Sequence, residues 1–174
     1  MAENRAPRAT NDAAHSPRTL YLVKQVQYKT YVRLEDALAP TGITTAQFRI
    51  LFTLAQRTRR SSAELSRMFG VKPQTMIKQI AILETRGLIG RAMAPSNKRV
   101  LEVELTDEGQ RVLAEANANA IALEDEIFSV LTPAELEQYR SAMMKLLRAL
   151  PQTDHEAGEY QLTREVLHEV NKPS

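Results

Sequence analysis

The chain of 174 residues has no cysteine, no tryptophan and only six glycines. Without cysteine it can neither bind zinc through thiolates nor sense oxidants through a thiol, and a reducing compartment suits it. Its apolar runs fall far short of the roughly 18 residues that a membrane-spanning helix needs, and its N-terminus has no apolar signal segment. These absences predict a cytoplasmic protein without a membrane partner.

Residues that commonly carry catalysis are scarce as well. The three histidines, His15, His155 and His168, lie towards the two ends of the chain and lack the spacing of metal ligands. There is no Gly-x-Ser-x-Gly motif and no glycine-rich loop that would cradle a phosphate. We therefore expect no enzymatic activity, no metal site and no cofactor.

The formal net charge is only +2, but the charges are unevenly distributed along the chain. Residues 20–101 contain 14 Lys and Arg against 4 Asp and Glu, whereas residues 102–174 contain 6 against 15. Solvation of helix faces explains single charges but explains this segregation less readily. A basic part and an acidic part in one chain favour a surface that meets a polyanion.

Most of the chain has the hydrophobic period of helices. Ser16 and Pro17 suit the start of a first helix, and Pro40 with Gly42 suits its end. This helix is apolar over more of its surface than one partner needs, through Leu20, Val23, Tyr28, Tyr31, Val32, Leu34 and Leu38. It is therefore a candidate for an interface between two copies of the chain.

Capping boxes predict three further helix starts, at residues 44–47, 61–64 and 132–135. A long helix is expected over about 106–129, and the last capped helix ends before Pro151. A short additional helix is an option over 162–170. The chain contains no internal repeat and no low-complexity block.

Two short helices joined by a turn occupy the centre of the chain. The first begins at Ser61 and ends at Gly70, and the second begins at Pro73 and ends at Gly87. The inward side chains of the second helix are Met76, Ile80 and Leu83. This order of elements is the helix-turn-helix pattern, which is weak evidence by itself.

The hydrophobic period changes after this pair of helices. Within residues 101–105, apolar side chains alternate with Glu102 and Glu104, as in a half-buried strand. The polar stretch just before it contains Lys98 and Arg99. The predicted fold is therefore mainly α with a small β-hairpin wing, a winged helix-turn-helix domain with N- and C-terminal dimerisation helices.

Across about residues 20–150 the chain resembles the MarR (multiple antibiotic resistance regulator) family. The stretch GITTAQFRILFTLA is similar to the family's second helix, and SSAELSRMFGVKPQTMIKQIAILETRGLIGR is similar to its helix-turn-helix. NKRVLEVELTDEG is similar to its wing strand and the start of the following helix. The resemblance implies a homodimer that binds DNA, represses transcription and responds to a small molecule.

Two positions depart from the family pattern. Asn97 stands where the family usually has an Asp that braces the wing by pairing with the residue matching Arg99. Asn still favours a turn, so the wing is either braced as before or held more loosely. Lys72 replaces a small capping residue before Pro73, so the N–H groups of that helix are open either to phosphate or to water.

Domain boundaries follow from these elements. We predict a flexible arm over 1–15, a helical dimerisation region over 16–40 and 112–150, a DNA-binding domain over 41–111 and a tail over 151–174. The predicted function is a sequence-specific transcriptional regulator that binds a near-palindromic operator as a homodimer. The alternative is a winged-helix protein-interaction module that does not bind DNA. For such a module, any apparent affinity for DNA would be no higher at low salt than at high salt.

Candidate DNA contacts fall into three groups. In the major groove, Gln and Lys can read adenine and guanine, and apolar groups can contact the thymine methyl, which selects Gln74, Thr75, Ile77 and Lys78. Candidates for phosphate contacts are Ser61, Arg67 and Lys72. Candidates at the wing, where Arg99 would enter the minor groove, are Asn97, Lys98 and Arg99. The alternative for the helix face is a solvated surface without a partner.

Aromatic residues on the first two helices suggest an effector site. Tyr28, Tyr31, Phe48, Arg49 and Phe52 could line a cleft for a small aromatic acid or its acyl thioester. Ordinary core packing is the commoner role of aromatic residues at helical spacing. Both interpretations remain open at this point.

Overall fold

A computed structural model describes residues 18–56, 59–94 and 97–150, and at residues 94 and 97–100 it describes the backbone alone. In chain order the elements are α1 (Thr19–Leu38), a 3-10 turn (Ala39–Thr41), α2 (Thr45–Gln56), β1 (Arg60–Ser61), α3 (Ser62–Met68), α4 (Pro73–Thr85), β2 (Ile89–Ala94), β3 (Asn97–Leu105), α5 (Asp107–Phe128) and α6 (Pro133–Ala149). None of the helices in the described part of the chain combines the length and apolar character that crossing a bilayer requires.

Several predictions for the two ends of the chain lie outside the described residues. They concern the arm over 1–15, the helix start at Ser16 and Pro17, and the tail over 151–174 with its short helix. The described part of α1 begins at Thr19, one residue after Arg18. The predicted end of this helix is confirmed, because the 3-10 turn over 39–41 follows it directly.

The predicted helix caps are confirmed by hydrogen bonds. Thr44 Oγ1 accepts from the N–H of Gln47 at 3.3 Å, and the Gln47 side chain accepts from the N–H of Thr44 at 3.1 Å. The capping boxes of α3 and α6 are complete in the same way. Thr106 caps α5 by accepting from the N–H of Gly109 at 3.0 Å. Because each cap satisfies N–H groups that have no partner inside the helix, it fixes where the helix begins.

The core lies among the C-terminal end of α1, α2, α3, α4, the sheet and the first half of α5. Its most deeply buried apolar side chains are Leu38, Ile50, Leu51, Leu65, Met76 and Leu83. The predicted inward face of α4 is confirmed, since all three of its assigned side chains are buried. By contrast, Leu38 is the one buried residue of α1, and α6 has none.

The sheet has three antiparallel strands in the order β1-β3-β2, one more than the hairpin predicted. Strand β1 has two residues and lies in a stretch where the helical period merely stops, so no alternation marks it. In β3, Val103 is buried and Leu105 packs against the core, as predicted. Leu101 is 52% exposed, because it pairs with Met93 where the hairpin extends past the core.

Candidate nucleic-acid interface

The turn between α3 and α4 fixes how these two helices meet. Gly70 has φ +59°, a left-handed conformation that glycine adopts without strain. The Ser66 hydroxyl donates to the carbonyl of Val71 at 2.7 Å, and the N–H of Val71 donates to the carbonyl of Ser66 at 3.1 Å. These bonds hold the start of α4 against the end of α3.

One face of α4 is exposed along its length because the opposite face supplies the core. The side chains predicted to read bases all lie on the exposed face, Gln74, Thr75, Ile77 and Lys78. Ile77 is 52% exposed although it is large and apolar. The neighbouring Gln79 is half-buried, and its side chain accepts from Gln47 of α2 at 3.2 Å. The structure thus brings the four candidates together on a helix that α2 holds from behind.

The candidate phosphate contacts differ in how free their side chains are. Arg67 and Lys72 are exposed, and neither forms a salt bridge within the described part of the chain. Lys72 precedes α4 and makes no capping bond, so the competition between phosphate and water for the N–H groups stays open. The Ser61 hydroxyl donates to the Glu64 carboxylate at 2.7 Å, so a phosphate contact there requires exchanging this bond.

The strands of the hairpin pair in antiparallel fashion from Ile89 and Leu105 to Ala94 and Asn97, with an irregular register between Met93 and Ala94. Asn97, Lys98 and Arg99 lie at the start of β3, but their side chains lie outside the described residues. The contact of Arg99 with a minor groove and the effect of Asn97 on the wing therefore stay predictions.

Two ion pairs at the base of the wing were missed by the sequence interpretation. Arg91 of β2 lies 2.9 Å from the Glu84 carboxylate of α4. Arg59, just before β1, lies 2.7 Å from the Glu104 carboxylate of β3, and this carboxylate raises the pKa of the guanidinium. In the sequence interpretation both arginines contributed only to the excess of positive charge. No local sequence pattern predicts a pair between residues that are 7 or 45 positions apart.

A further arginine links the end of α4 to the turn between α1 and α2. The Arg86 guanidinium donates to the carbonyl of Gly42 at 2.6 Å and to that of Thr41 at 3.2 Å. The Glu35 carboxylate accepts from the N–H of Thr45 at 3.0 Å on the other side of the turn. Burial raises the pKa of Glu35, but hydrogen bonds from Thr45 and from a tyrosine of α1 outweigh it and lower that pKa. This turn therefore joins the first helix to the helix that carries the base-reading candidates.

The five effector candidates have different surroundings in the described part of the chain. Tyr28 and Tyr31 are exposed, and hydrogen bonding to the Glu35 carboxylate raises the pKa of Tyr31. The Arg49 guanidinium lies over the Phe69 ring, 4.9 Å from its centroid. Tyr28, Tyr31 and Arg49 are not among the described residues that line either of the two cavities below.

The two remaining candidates lie close together but line different cavities. The ring centroids of Phe48 and Phe52 are 6.3 Å apart. Phe48 borders a cavity of about 750 Å³ between α1, α5 and α6, and Phe52 borders one of about 590 Å³ between α2, β3 and α5. An effector site built from all five residues stays a prediction.

Comparison with known proteins agrees with this architecture. The model of the MarR family matches residues 43–101, from the start of α2 to the wing. The HTH-type transcriptional repressor Rv2887 of Mycobacterium tuberculosis is 31% identical over 126 residues, which cover 72% of this chain and 91% of that protein.

Two solved structures resemble the fold. The structure of Rv2887 in complex with DNA has a TM-score of 0.66 and 27% identity, covering 75% of this chain and 98% of its own. Wild-type MarR from E. coli in its apo form has a TM-score of 0.69 and 24% identity, covering 76% and 98%. With a winged fold and a relative matched at this identity over nearly its whole length, the chain belongs to the MarR family of winged helix-turn-helix proteins.

Proposed function

We propose that this protein is a sequence-specific DNA-binding transcriptional regulator. The exposed face of α4 carries the proposal, because it presents an amide, a hydroxyl, an apolar side chain and a cation in one row. A helix of this kind fits the major groove, where these groups distinguish base pairs. Arg67 and Lys72 lie at the end of α3 and before α4, where cations contact the phosphates that position such a helix.

Repression is the proposed direction of regulation. The relative from Mycobacterium tuberculosis is named a repressor, and its solved structure is a complex with DNA. A repressor of this class acts where the DNA is, so we assign the protein to the cytoplasm. We assign the protein no catalytic activity, because its proposed role is to bind DNA.

A homodimer follows from the apolar surface of the first and last helices. Leu22 is 46% exposed, Val26 45% and Leu146 50% in a single chain. Covering such a surface with the same surface of a second copy gives a two-fold interface. The operator is then near-palindromic, with half-site centres about one helical turn, roughly 34–36 Å, apart.

Regulation by a small aromatic ligand is a further part of the proposal. An aromatic acid or acyl thioester is the effector class that the family resemblance favours. The cavity between α1, α5 and α6, of about 750 Å³, has the size of an ordinary ligand site. Such a ligand weakens DNA binding only if it prefers the conformation that DNA disfavours.

The test starts from selection of bound sequences out of a random DNA pool, followed by gel-shift titrations on the selected site. Replacing Lys78 by Ala should relax preference at one base pair, whereas Arg99→Ala should weaken binding to all sequences by about 1–3 kcal/mol. Arg111→Ala is the matched control, because this arginine pairs with Glu108 and Glu115 of its own helix α5.

Salt dependence separates the proposal from a protein-interaction module. A DNA-binding regulator should lose affinity with a log–log slope near −0.9 for each phosphate neutralised. Affinity that does not change with salt, together with no enriched sequence in the selection, would contradict the proposal.

A further inference from the structure

The cavity between α2, β3 and α5, called the β3 cavity below, combines an apolar floor with a polar rim. Its floor includes Phe52, Leu105 and Leu113. Its rim includes Glu104, Gln110 and Asn117. A volume of about 590 Å³ is enough for a bicyclic ring with a short polar substituent.

One charged group lies in the described lining of this cavity. Glu104 is the one charged side chain among the described residues that line it, and no lysine or arginine is among them. An anionic ligand would gain no free cation from these residues, because the Arg59 guanidinium that contacts this carboxylate is already paired with it. In the second cavity Glu124 is the one charged side chain among the described lining residues, and it pairs with Arg140 at 3.2 Å.

The Glu104 carboxylate can exchange its present partner, Arg59, for the cation of a ligand. Glu104 is held by Arg59 at 2.7 Å, and both side chains are about one third exposed, 36% each. A partly exposed pair of this kind contributes little net stability, so a second cation can replace the guanidinium at modest cost. The carboxylate has lone pairs enough to accept from an ammonium group as well.

We propose that the β3 cavity binds a small amphipathic cation, with its ring on the apolar floor and its ammonium group on the Glu104 carboxylate. The site itself follows from the lining residues, but its regulatory consequence rests on the proposed function. Arg59 ties the segment before β1 to β3, so a ligand that takes over Glu104 loosens the base of the wing. DNA binding then weakens, and by linkage DNA weakens binding of the cation.

Three probes of nearly equal shape test the charge preference. They are 1-naphthylmethylamine as the cation, 1-naphthylmethanol as the neutral compound and 1-naphthoate as the anion. Because the chain has no tryptophan, naphthalene fluorescence can be followed without indole background. We expect the purified protein, without DNA, to bind the amine at least about ten-fold more tightly than the acid. Equal or tighter binding of the acid overturns the proposal without any variant.

Two matched variants assign the preference to one carboxylate. In Glu104→Gln the affinity for the amine should fall to that for the alcohol, while the alcohol binds as before. In Arg59→Gln the same ion pair is lost but the carboxylate remains, so the amine should bind as tightly or more tightly. Undiminished binding of the amine to Glu104→Gln overturns the assignment.

A gel shift with the amine tests the regulatory consequence separately. The amine should weaken DNA binding by the wild-type protein and not by Glu104→Gln, which also controls for binding of the amine to DNA itself. If the amine binds but leaves DNA affinity unchanged, the link to the wing is overturned and the site stands. If the protein binds no DNA at all, the proposed function fails while the probe titration still decides on the site.

Discussion

Two regions of this molecule treat their apolar side chains differently. In the winged region, residues 45–105, α2, α3, α4 and the sheet share one core, and Leu51, Leu65 and Leu83 have no exposed surface. In the terminal helices, α1 and α6, most apolar side chains remain exposed, and Leu20 reaches 73%. Both regions have helical periodicity in the sequence, but only the winged region buries its apolar side chains within a single chain.

The difference separates two sources of stability. The winged region owes its stability to packing within one chain, so its stability should not depend on protein concentration. The terminal helices require a second copy to cover them, so their order should depend on concentration. Substitutions in the winged region should therefore lower the stability of the single chain, whereas substitutions in the terminal helices should weaken the dimer.

Gly109→Ala should have the largest effect. A Cβ at Gly109 would lie 1.9 Å from the carbonyl oxygen of Leu88, so α5 cannot keep its place beside the sheet. We expect the free energy of unfolding to fall by about 3 kcal/mol or more, measured by urea denaturation.

Gly90→Ala is the control for this substitution. The added Cβ would meet nothing closer than a methyl group of Thr106 at 3.9 Å, an ordinary contact. Its effect should stay within about 1 kcal/mol. If both alanines destabilise equally, close packing of the winged region against α5 is not the cause.

Val26→Glu should break the terminal helices apart without unfolding the winged region. Val26 is 45% exposed in one chain and becomes buried in the proposed dimer, where an unpaired carboxylate is costly. We expect the dimer dissociation constant to rise by about 100-fold, roughly 2.7 kcal/mol, in sedimentation equilibrium.

Lys24→Glu offers the matched control, since Lys24 is an exposed polar residue of the same helix. It changes the charge further but removes no apolar surface, so the dimer should persist. A dimer that survives Val26→Glu as well would mean that the apolar face of α1 is not the interface.

The sequence could predict those features of the fold that local chemistry decides. Helix starts are local because a Thr or Ser and a Glu or Gln three residues later satisfy each other's N–H groups, as Thr44 and Gln47 do. The buried and exposed faces of α4 follow from period alone, so the base-reading candidates could be placed on one surface. Most of the winged region was therefore predictable.

The features that the sequence could not predict depend on residues brought together by the fold. Strand β1 exists only because β3 pairs with it, and the bond from Arg59 to Glu104 spans 45 positions. Aromatic residues at helical spacing, such as Phe48 and Phe52, have the same pattern whether they pack in a core or line a cavity. For this reason both roles stayed open for the effector candidates, and a site built from all five residues stays a prediction.

Arg86→Met should have a moderate effect, because it removes one of the links between the two regions. Met keeps most of the apolar stem but removes the donors to the carbonyls of Gly42 and Thr41. We expect a loss of about 1–2 kcal/mol in the free energy of unfolding. Arg111→Met, whose exposed ion pairs stay within α5, should cost clearly less. Equal losses in the two variants would show that the hydrogen bonds of Arg86 contribute no more to stability than the ion pairs of Arg111.

Glu64→Gln should have the smallest effect, and one that depends on pH. The N–H and the hydroxyl of Ser61 donate to the Glu64 carboxylate and lower its pKa in the folded protein. A lowered pKa means that the ionised carboxylate stabilises the fold above its unfolded pKa, and that this contribution is lost as the pH falls through the folded pKa. The free energy of unfolding of the wild type should therefore exceed that of the variant by up to about 1 kcal/mol at pH 7. The difference should shrink as the pH approaches 3.

Glu135→Gln in α6 extends the pH test to the terminal helices. Hydrogen bonds from the N–H and hydroxyl of Thr132 lower the pKa of Glu135 in the same way, but this capping box is exposed. Its loss should fray α6 and show as a concentration-dependent change in dimer stability, leaving the unfolding of the winged region unchanged. If Glu64→Gln and Glu135→Gln give the same concentration dependence, the two regions unfold as one unit. The winged region and the terminal helices would then differ in burial but not in the source of their stability.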